Sequence, residues 1–539
     1  MVHDNEVSGP QPKSSGALSS ASFQGLLVTQ FLGAMNDNMF RWLVVSIAGR
    51  SEVIGTAALP LGLACFTVPY LVFASFAGFL ADRFSKRTVI VGCKVAEIVI
   101  MALGVVAILI GNVTMLFVVV AIMGSQSALF GPSKLGAIPE LVDATLISKA
   151  NGWMALTTVV ASALGCIAGF SLFAFTDPDI TNPGTLAELW AIPAALVGVA
   201  MAGTLTSLLI RRLSPADPQR KLTTNPLRET WSNLRLLGGN RPLLRTALGI
   251  AFFWALASLV QMNIAVFGEM ELQLNEENIG PLLAILTAGV GLGSVLAGYW
   301  SGDRVELGIV PLGALGVVVF SSLLYVSGSA IDPQSTDSLH AAYVWTCVWL
   351  FFLGASAGLF NIPLAAYLQH RSERQHRGVI LAGSNFVAFS MILGASGVFF
   401  LLKETLEFSA SRVFLVAALG TIPILIYILV LLPGATLRFL VWMLTHTVYR
   451  VRVTGREHVP ETGGALLVSN HVSWIDAVLL LVTSSRPIRM LMYADYMQSR
   501  TMRCIARLYR IISISNTGGT RELVQSLRTA QDAIQNGEL

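Results

Sequence analysis

GFLADRFSKRTVI, residues 78–90, closes one apolar run (56–80) and opens another (88–110), with four charged residues, Asp82, Arg83, Lys86 and Arg87, packed into the short break. Two apolar runs of about 20 residues or more on either side of a charged break read as membrane-spanning helices joined by a tight loop. The stretch has an echo: GYWSGDRVELGIV (298–310) repeats the Asp-Arg pair as Asp303 and Arg304, 221 residues on. The same offset lays Phe31 on Phe252. A second pair of segments, LFGPSKLGAIPEL (129–141) and LFNIPLAAYLQHR (359–371), each closes an apolar run with a proline inside. One plan used twice along a chain is the sequence sign of a repeat.

Working outward, apolar runs recur at 23–47, 56–80, 88–110, 114–131, 152–176, 189–210, 243–267, 281–300, 307–329, 341–362, 378–402 and 412–433. Twelve spans in two six-helix halves are expected, 23–210 and 243–433, after a polar tail at 1–22 and with a linker at 211–242. Composition agrees: hydrophobic residues make up 54% of the 539, charged residues 12%, and the mean hydropathy is +0.68. A water-soluble domain carries about 25% charged residues. The net charge of +4 is spread over a few loops and not along one face, which excludes a nucleic-acid partner. The tail has no apolar core and is no signal peptide. Cys65, Cys93, Cys166, Cys347 and Cys504 are scattered without metal or disulfide spacing.

Charge also sets orientation. Lys and Arg cluster after even-numbered spans: Arg83, Lys86, Arg87 and Lys94; Lys134 and Lys149; Arg211 to Arg245; Arg371, Arg374 and Arg377. The alternate loops, such as TDPDITNPGTLAE and GEMELQLNEEN, are acidic or neutral. By the positive-inside rule both termini face the cytoplasm, as expected of a multi-pass protein of a bacterial inner (cytoplasmic) membrane. Two halves with the same orientation form a parallel repeat, the plan of secondary transporters with a site between the halves.

The motif Gly78-Phe-Leu-Ala-Asp82-Arg83-Phe-Ser-Lys86-Arg87 resembles the signature between spans two and three of the major facilitator superfamily. QFLGAMNDNMFRW (30–42), FGPSKLGAIPELVDATLISKANG (130–152) and IPLAAYLQHRSERQHRGVILAGSNF (362–386) are further similar to bacterial lysophospholipid transporters. The resemblance covers about 20 to 435 and implies the twelve-helix, all-α major facilitator fold, with a lysophospholipid as cargo. Asp82, Arg83, Lys86 and Arg87, with Asp303 and Arg304 as a weaker second copy, are then expected to latch the cytoplasmic side.

Asn36, Asp37, Asn38 and Arg41 place a polar patch inside the first span, where an ion must be paired or face water. Asp37 and Arg41 share a helix face and could form an ion pair. The patch suits a zwitterionic or phosphate head group, and Asp37 could alternatively carry a proton. Ser258 stands at the repeat position of Asp37, so the halves differ here. Gln261, Asn263 and Lys134 are further substrate-binding candidates; Lys134 serves equally as an anchor, Gln261 and Asn263 as packing groups. Lys94 and Glu97 read as a structural pair.

Beyond residue 433 the character changes. Residues 434–450 read as an interfacial helix. ALLVSN (465–470) reads as a strand, and NHVSWID (470–476) as a strand–loop–helix site. There His471 could take a proton from an alcohol while Asp476 orients it. With Asn470, Ser473 and Trp474, this resembles the first motif of glycerolipid acyltransferases. That resemblance implies a partial α/β domain over 451–539, transfer of an acyl group to a lysophospholipid hydroxyl, and a thioester donor, acyl-CoA or an acyl carrier protein. No metal or other cofactor is implied. Past the strand in RIISISNTGG (510–519), Asn516 or Thr517 stands where the family has an arginine, and the chain stops before the next motif, as a fragment would. The expected function is a lysophospholipid transporter fused to a re-acylating domain. A small-molecule or drug exporter, and an acyltransferase with a membrane anchor, are the alternatives.

Overall fold

The computed structural model describes residues 17–50, 58–176, 178, 188–221, 226–274, 276–302, 305–332, 334–448, 451, 453–455, 458–460, 463–470, 472–484, 488–515 and 519–539. They form two compact units, Met1–Val305 with Leu312–Pro423, and Glu306–Pro311 with Ile424–Leu539.

The first unit is helical throughout. In a bilayer each N–H and C=O must find its partner within its own segment, which helices achieve. The first half holds α1 (Ala21–Gly49), α2 (Ala58–Val72), α3 (Ala74–Arg83), α4 (Lys86–Ile110), α5 (Val113–Leu141), α6 (Ile147–Thr176) and α7 (Ala191–Ser207). A linker helix, α8 (Pro226–Gly239), follows inside the expected loop. The second half holds α9 (Arg241–Met270), α10 (Glu276–Trp300), α11 (Ile309–Ser329), α12 (Thr336–Arg371), α13 (Arg377–Phe400) and α14 (Ala410–Leu431). Helix starts follow capping chemistry: Asn112 accepts from the Met115 N–H at 2.9 Å, and Ser335 from the Ser338 N–H at 3.3 Å. Gly111, at φ 69°, ends α4 in the left-handed conformation that a side chain resists.

Among the described residues nine helices are long and apolar enough to cross a membrane, and the pair α2–α3, bent by 55°, makes a tenth. Pro69 lies one turn before that bend. The other two expected spans fall short of the same measure. α7 has 17 residues, and α1 carries the polar patch. The connections α3–α4, α5–α6 and α12–α13 each follow an even-numbered span and share one side, called here the basic face.

Each half has its own core. Phe40, Leu43, Met101, Leu116 and Leu196 pack together in the first, and Ile264, Phe267, Leu324, Leu350 and Phe414 in the second. Across the halves α3 packs on α13 and α6 on α10.

Besides the start of α11 and the end of α14, the second unit contains α15 (Pro433–Val448), α16 (Trp474–Thr483), β1 (Leu491–Tyr493), α17 (Arg500–Leu508), β2 (Ile512–Ile514) and α18 (Gly519–Gln535). β1 and β2 pair in parallel, Leu491 opposite Ile512. A helix, α15, stands where the interfacial helix was expected. The expected strand at 465–470 is not formed: the Ala465 N–H donates to the Glu538 carbonyl at 3.2 Å, and among the described residues no ladder lies beside it. An extended stretch without a neighbouring strand has no partner for its alternate amides.

Candidate functional site

The polar patch of α1 lies against α4 and α5. Asn36 donates to Glu97 Oε1 at 3.0 Å, and Lys94 donates to Glu97 Oε2 at 2.6 Å. Lys94 and Glu97 are 2% and 1% exposed. Two ions removed from water persist only when their geometry and additional hydrogen bonds offset desolvation, and Asn36 supplies one such bond. The approach needs Gly33, where a Cβ would collide with the Lys94 ammonium.

Asp37 and Arg41 do not form the ion pair their spacing allows. Asp37 Oδ2 accepts from the Ser127 hydroxyl of α5 at 2.6 Å, and its Oδ1 has no hydrogen-bond partner. Arg41 turns to Asn38 Oδ1 at 2.8 Å and lies over the rings of Phe66 and Trp42 at 5.5 and 5.9 Å. Asn38 also donates to Ser162 of α6 at 3.2 Å. Lys134 stands two turns beyond Ser127 on the same face of α5, its ammonium 5.4 Å from the Phe130 ring; Lys94 flanks that ring at 5.1 Å. One bundle thus presents a carboxylate with a spare oxygen, a guanidinium on aromatic rings and an ammonium over an aromatic ring. Such a set carries charges of both signs, complementary to an ammonium and to a phosphate.

The other two candidates lie apart from this cluster. Asn263 is buried and donates to the Ala410 carbonyl at 2.9 Å, tying α9 to the start of α14. Gln261 is exposed on α9. Instead, the second half holds a small, partly open cavity of about 40 Å³, lined by Phe252, Phe253, Leu256, Val260, Leu353 and Phe360 among others. Thr421 is the single polar residue in that lining. No polar signal marked this cavity in the sequence; its walls are ordinary apolar letters of spanning helices.

At the basic face, Asp82 is fully buried and crosses between the halves. Its carboxylate accepts from the Gly378 N–H at 2.7 Å and the Val379 N–H at 3.1 Å, at the start of α13, where unpaired amides and the helix dipole favour an anion. A Cβ on Gly378 would stand 2.6 Å from Asp82 Oδ1, so glycine is what admits the carboxylate. Arg220 of the linker bridges Asp82 at 3.1 Å and Glu229 of α8 at 3.3 Å. The Asp82 carbonyl accepts from the Ala216 and Asp217 amides at 3.1 and 2.9 Å. Lys86, also buried, stands 2.6 Å from Glu140 Oε1, a close ion pair without hydrogen-bond alignment, and Arg377 is 3.9 Å from the same oxygen. Arg87 donates to the Leu208 carbonyl at 3.1 Å, and Arg83 is half-buried. Asp82, Lys86 and Arg87 of the 82–87 break therefore reach different partners and do not pair with one another. Asp303 and Arg304 lie outside the described residues.

In the second unit Asp476 Oδ2 accepts from the Val472 and Ser473 amides at 2.7 and 2.8 Å, capping the start of α16. His471, Asn516 and Thr517 lie outside the described residues.

A family model for the Major Facilitator Superfamily matches residues 26–396, and one for Acyltransferase matches 450–539. The lysophospholipid transporter LplT of Cronobacter sakazakii is 26% identical over 367 residues, covering 67% of this chain and 83% of that protein. Its counterpart in Salmonella gallinarum is 27% identical, covering 66% and 81%. Among solved structures, the human organic anion transporter MFSD10 aligns with a TM-score of 0.58 at 14% identity, over 76% of this chain and 99% of its own. The outward conformation of FucP aligns with a TM-score of 0.57 at 14% identity, over 75% and 97%. At such identities the structures attest the fold alone.

Proposed function

The chain belongs to the Major Facilitator Superfamily, and from that premise we propose that it moves lysophospholipid across the bacterial inner membrane to the cytoplasmic side. The observation that carries this reading is the division of polarity between the halves. The first half offers Asp37, Arg41 and Lys134 for a zwitterionic or phosphate head group; the second offers an apolar cavity for a single acyl chain. Similarity to the LplT proteins supports the same cargo. All twelve apolar runs then span, with α1 admitted because its polar groups face protein and cargo, and α7 at a length of about 26 Å. The basic face is cytoplasmic by its Lys and Arg loops. Asp82, with Arg83, Lys86 and Arg87, gates that face and does not touch cargo.

The segment 450–539 adds acyl transfer in the same reading. His471 takes the proton of the lysolipid hydroxyl as that oxygen attacks a thioester carbonyl, and the thiol leaves with the proton. Asp476 fixes the loop that carries His471. Acyl-CoA or an acyl carrier protein supplies the thioester. Delivering lysolipid beside the enzyme raises its local concentration there.

The test is uptake of labelled lysophosphatidylethanolamine by proteoliposomes, wild type against Asp37→Asn. Uptake lost in the variant supports both cargo and site. Uptake kept in the variant retains the cargo and makes Asp37 a structural group. Absence of uptake by folded wild type overturns the lysolipid reading and brings forward a small-molecule exporter.

A further inference from the structure

The halves meet at the basic face along two seams. The first, α3 against α13, carries the charges around Asp82. The second, α6 against α10 and α12, is built differently. Gly152 and Gly298 let backbones close there: a Cβ on Gly152 would stand 2.6 Å from the Ser294 carbonyl oxygen, and one on Gly298 2.9 Å from that of Ser148. Beside them Asn151 of α6 and Gln369 of α12 exchange two hydrogen bonds, Asn151 Nδ2 to Gln369 Oε1 at 2.9 Å and Gln369 Nε2 to Asn151 Oδ1 at 2.8 Å. The two amides are 4% and 1% exposed and belong to different halves. Asn151 spends its other N–H on the Ile147 carbonyl of its own helix at 2.9 Å, which fixes its direction.

We propose that the Asn151–Gln369 pair is an uncharged latch that seals the second seam and parts in each transport cycle. Paired, the amides satisfy each other; parted, water satisfies both. A half-open seam would leave them buried and unpaired, which is costly, so the seam has two states and little between. Transport by rocking halves needs such a contact. The same argument gives mutations of opposite sign. Removing one amide orphans the other in the sealed state and favours opening. Replacing both with apolar groups of similar size favours sealing. A purely structural pair would not move in both directions. The proposal concerns the cycle and not the cargo, so it stands apart from the lysolipid reading.

The test is an inter-half distance in the full chain, reconstituted in lipid without substrate. The five native cysteines are replaced, and spin labels are placed at Thr145→Cys and Gln375→Cys, both exposed on basic-face loops of opposite halves. Asn151→Ala should raise the ratio of long to short distances about tenfold. Asn151→Leu with Gln369→Leu should lower it below wild type, and the exchange Asn151→Gln with Gln369→Asn should return it towards wild type. A distribution in Asn151→Ala equal to wild type overturns the proposal. If that variant does not fold, Gln369→Leu is read in the same way; failure of both single variants to fold overturns the proposal by assigning the pair to folding.

Discussion

The two halves of the transporter share a helix plan and differ in what they bury. The first holds two hydrogen-bonded polar groups across α1, α4 and α5, Asn36 and Lys94 on Glu97, and Ser127 on both Asp37 and Gln126. The second surrounds an apolar cavity with phenylalanine, leucine and valine, and has Ser258 where the first has Asp37. A repeat of backbone therefore does not imply a repeat of chemistry. The backbone is held by spans and loops, which tolerate many sequences; the interior polarity is set residue by residue and is free to diverge. The proposed amphiphilic cargo would use that divergence.

The comparison breaks first, and most severely, at the buried pair. Lys94→Met should leave Glu97 charged and unpaired in the first half and cost about 3–5 kcal/mol, seen as a large drop in the melting temperature of the purified protein. The double change Lys94→Met with Glu97→Leu should recover most of it. A double variant as unstable as the single would mean that the polar interior is required for folding, not for cargo.

Next comes the seam that joins the halves. Gly378→Val should push the Asp82 carboxylate from the start of α13 and reduce lysolipid uptake at least about tenfold. Gly383→Ala, on the same helix with its nearest neighbour 3.8 Å from the added carbon, should leave uptake unchanged. Equal losses in both would show general intolerance of α13 rather than a latch.

A smaller effect sharpens the roles of the two interiors. Ala357→Leu narrows the apolar cavity and should shift the preference from long towards short acyl chains by about tenfold in competition uptake, because each methylene is worth about 0.8 kcal/mol. Smallest of all, Gln261→Ala on the exposed face of α9 should change stability by less than about 0.5 kcal/mol and uptake not at all. A clear uptake loss there would place a polar cargo contact in the second half and undo the comparison.

The spans were legible because hydropathy and length are properties of single segments. Their number was less so, since α1 is interrupted by the groups that give it a use and α7 is short. The patch at 36–41 was visible as polar letters in an apolar run, but its pairing was not: helical spacing put Asp37 beside Arg41, whereas Ser127, 90 residues away, reaches the carboxylate. The charges at 82–87 were visible without their partners, because Asp82 bonds to backbone amides that carry no side-chain signal. Asn151 and Gln369 each looked like one more polar residue near a helix end. The stretch at 465–470 read as a strand from its β-branched and apolar letters, a preference that only a neighbouring strand makes effective.

The grip of the Asp82 carbonyl on the Ala216 and Asp217 amides has a consequence for inheritance. Every residue but proline can offer an amide, so most missense changes at those two positions leave these bonds available. A codon gained or lost between them and α3 displaces the donors and would carry Arg220 away from the carboxylate. Along this stretch the gene is constrained in its reading length more than in its spelling.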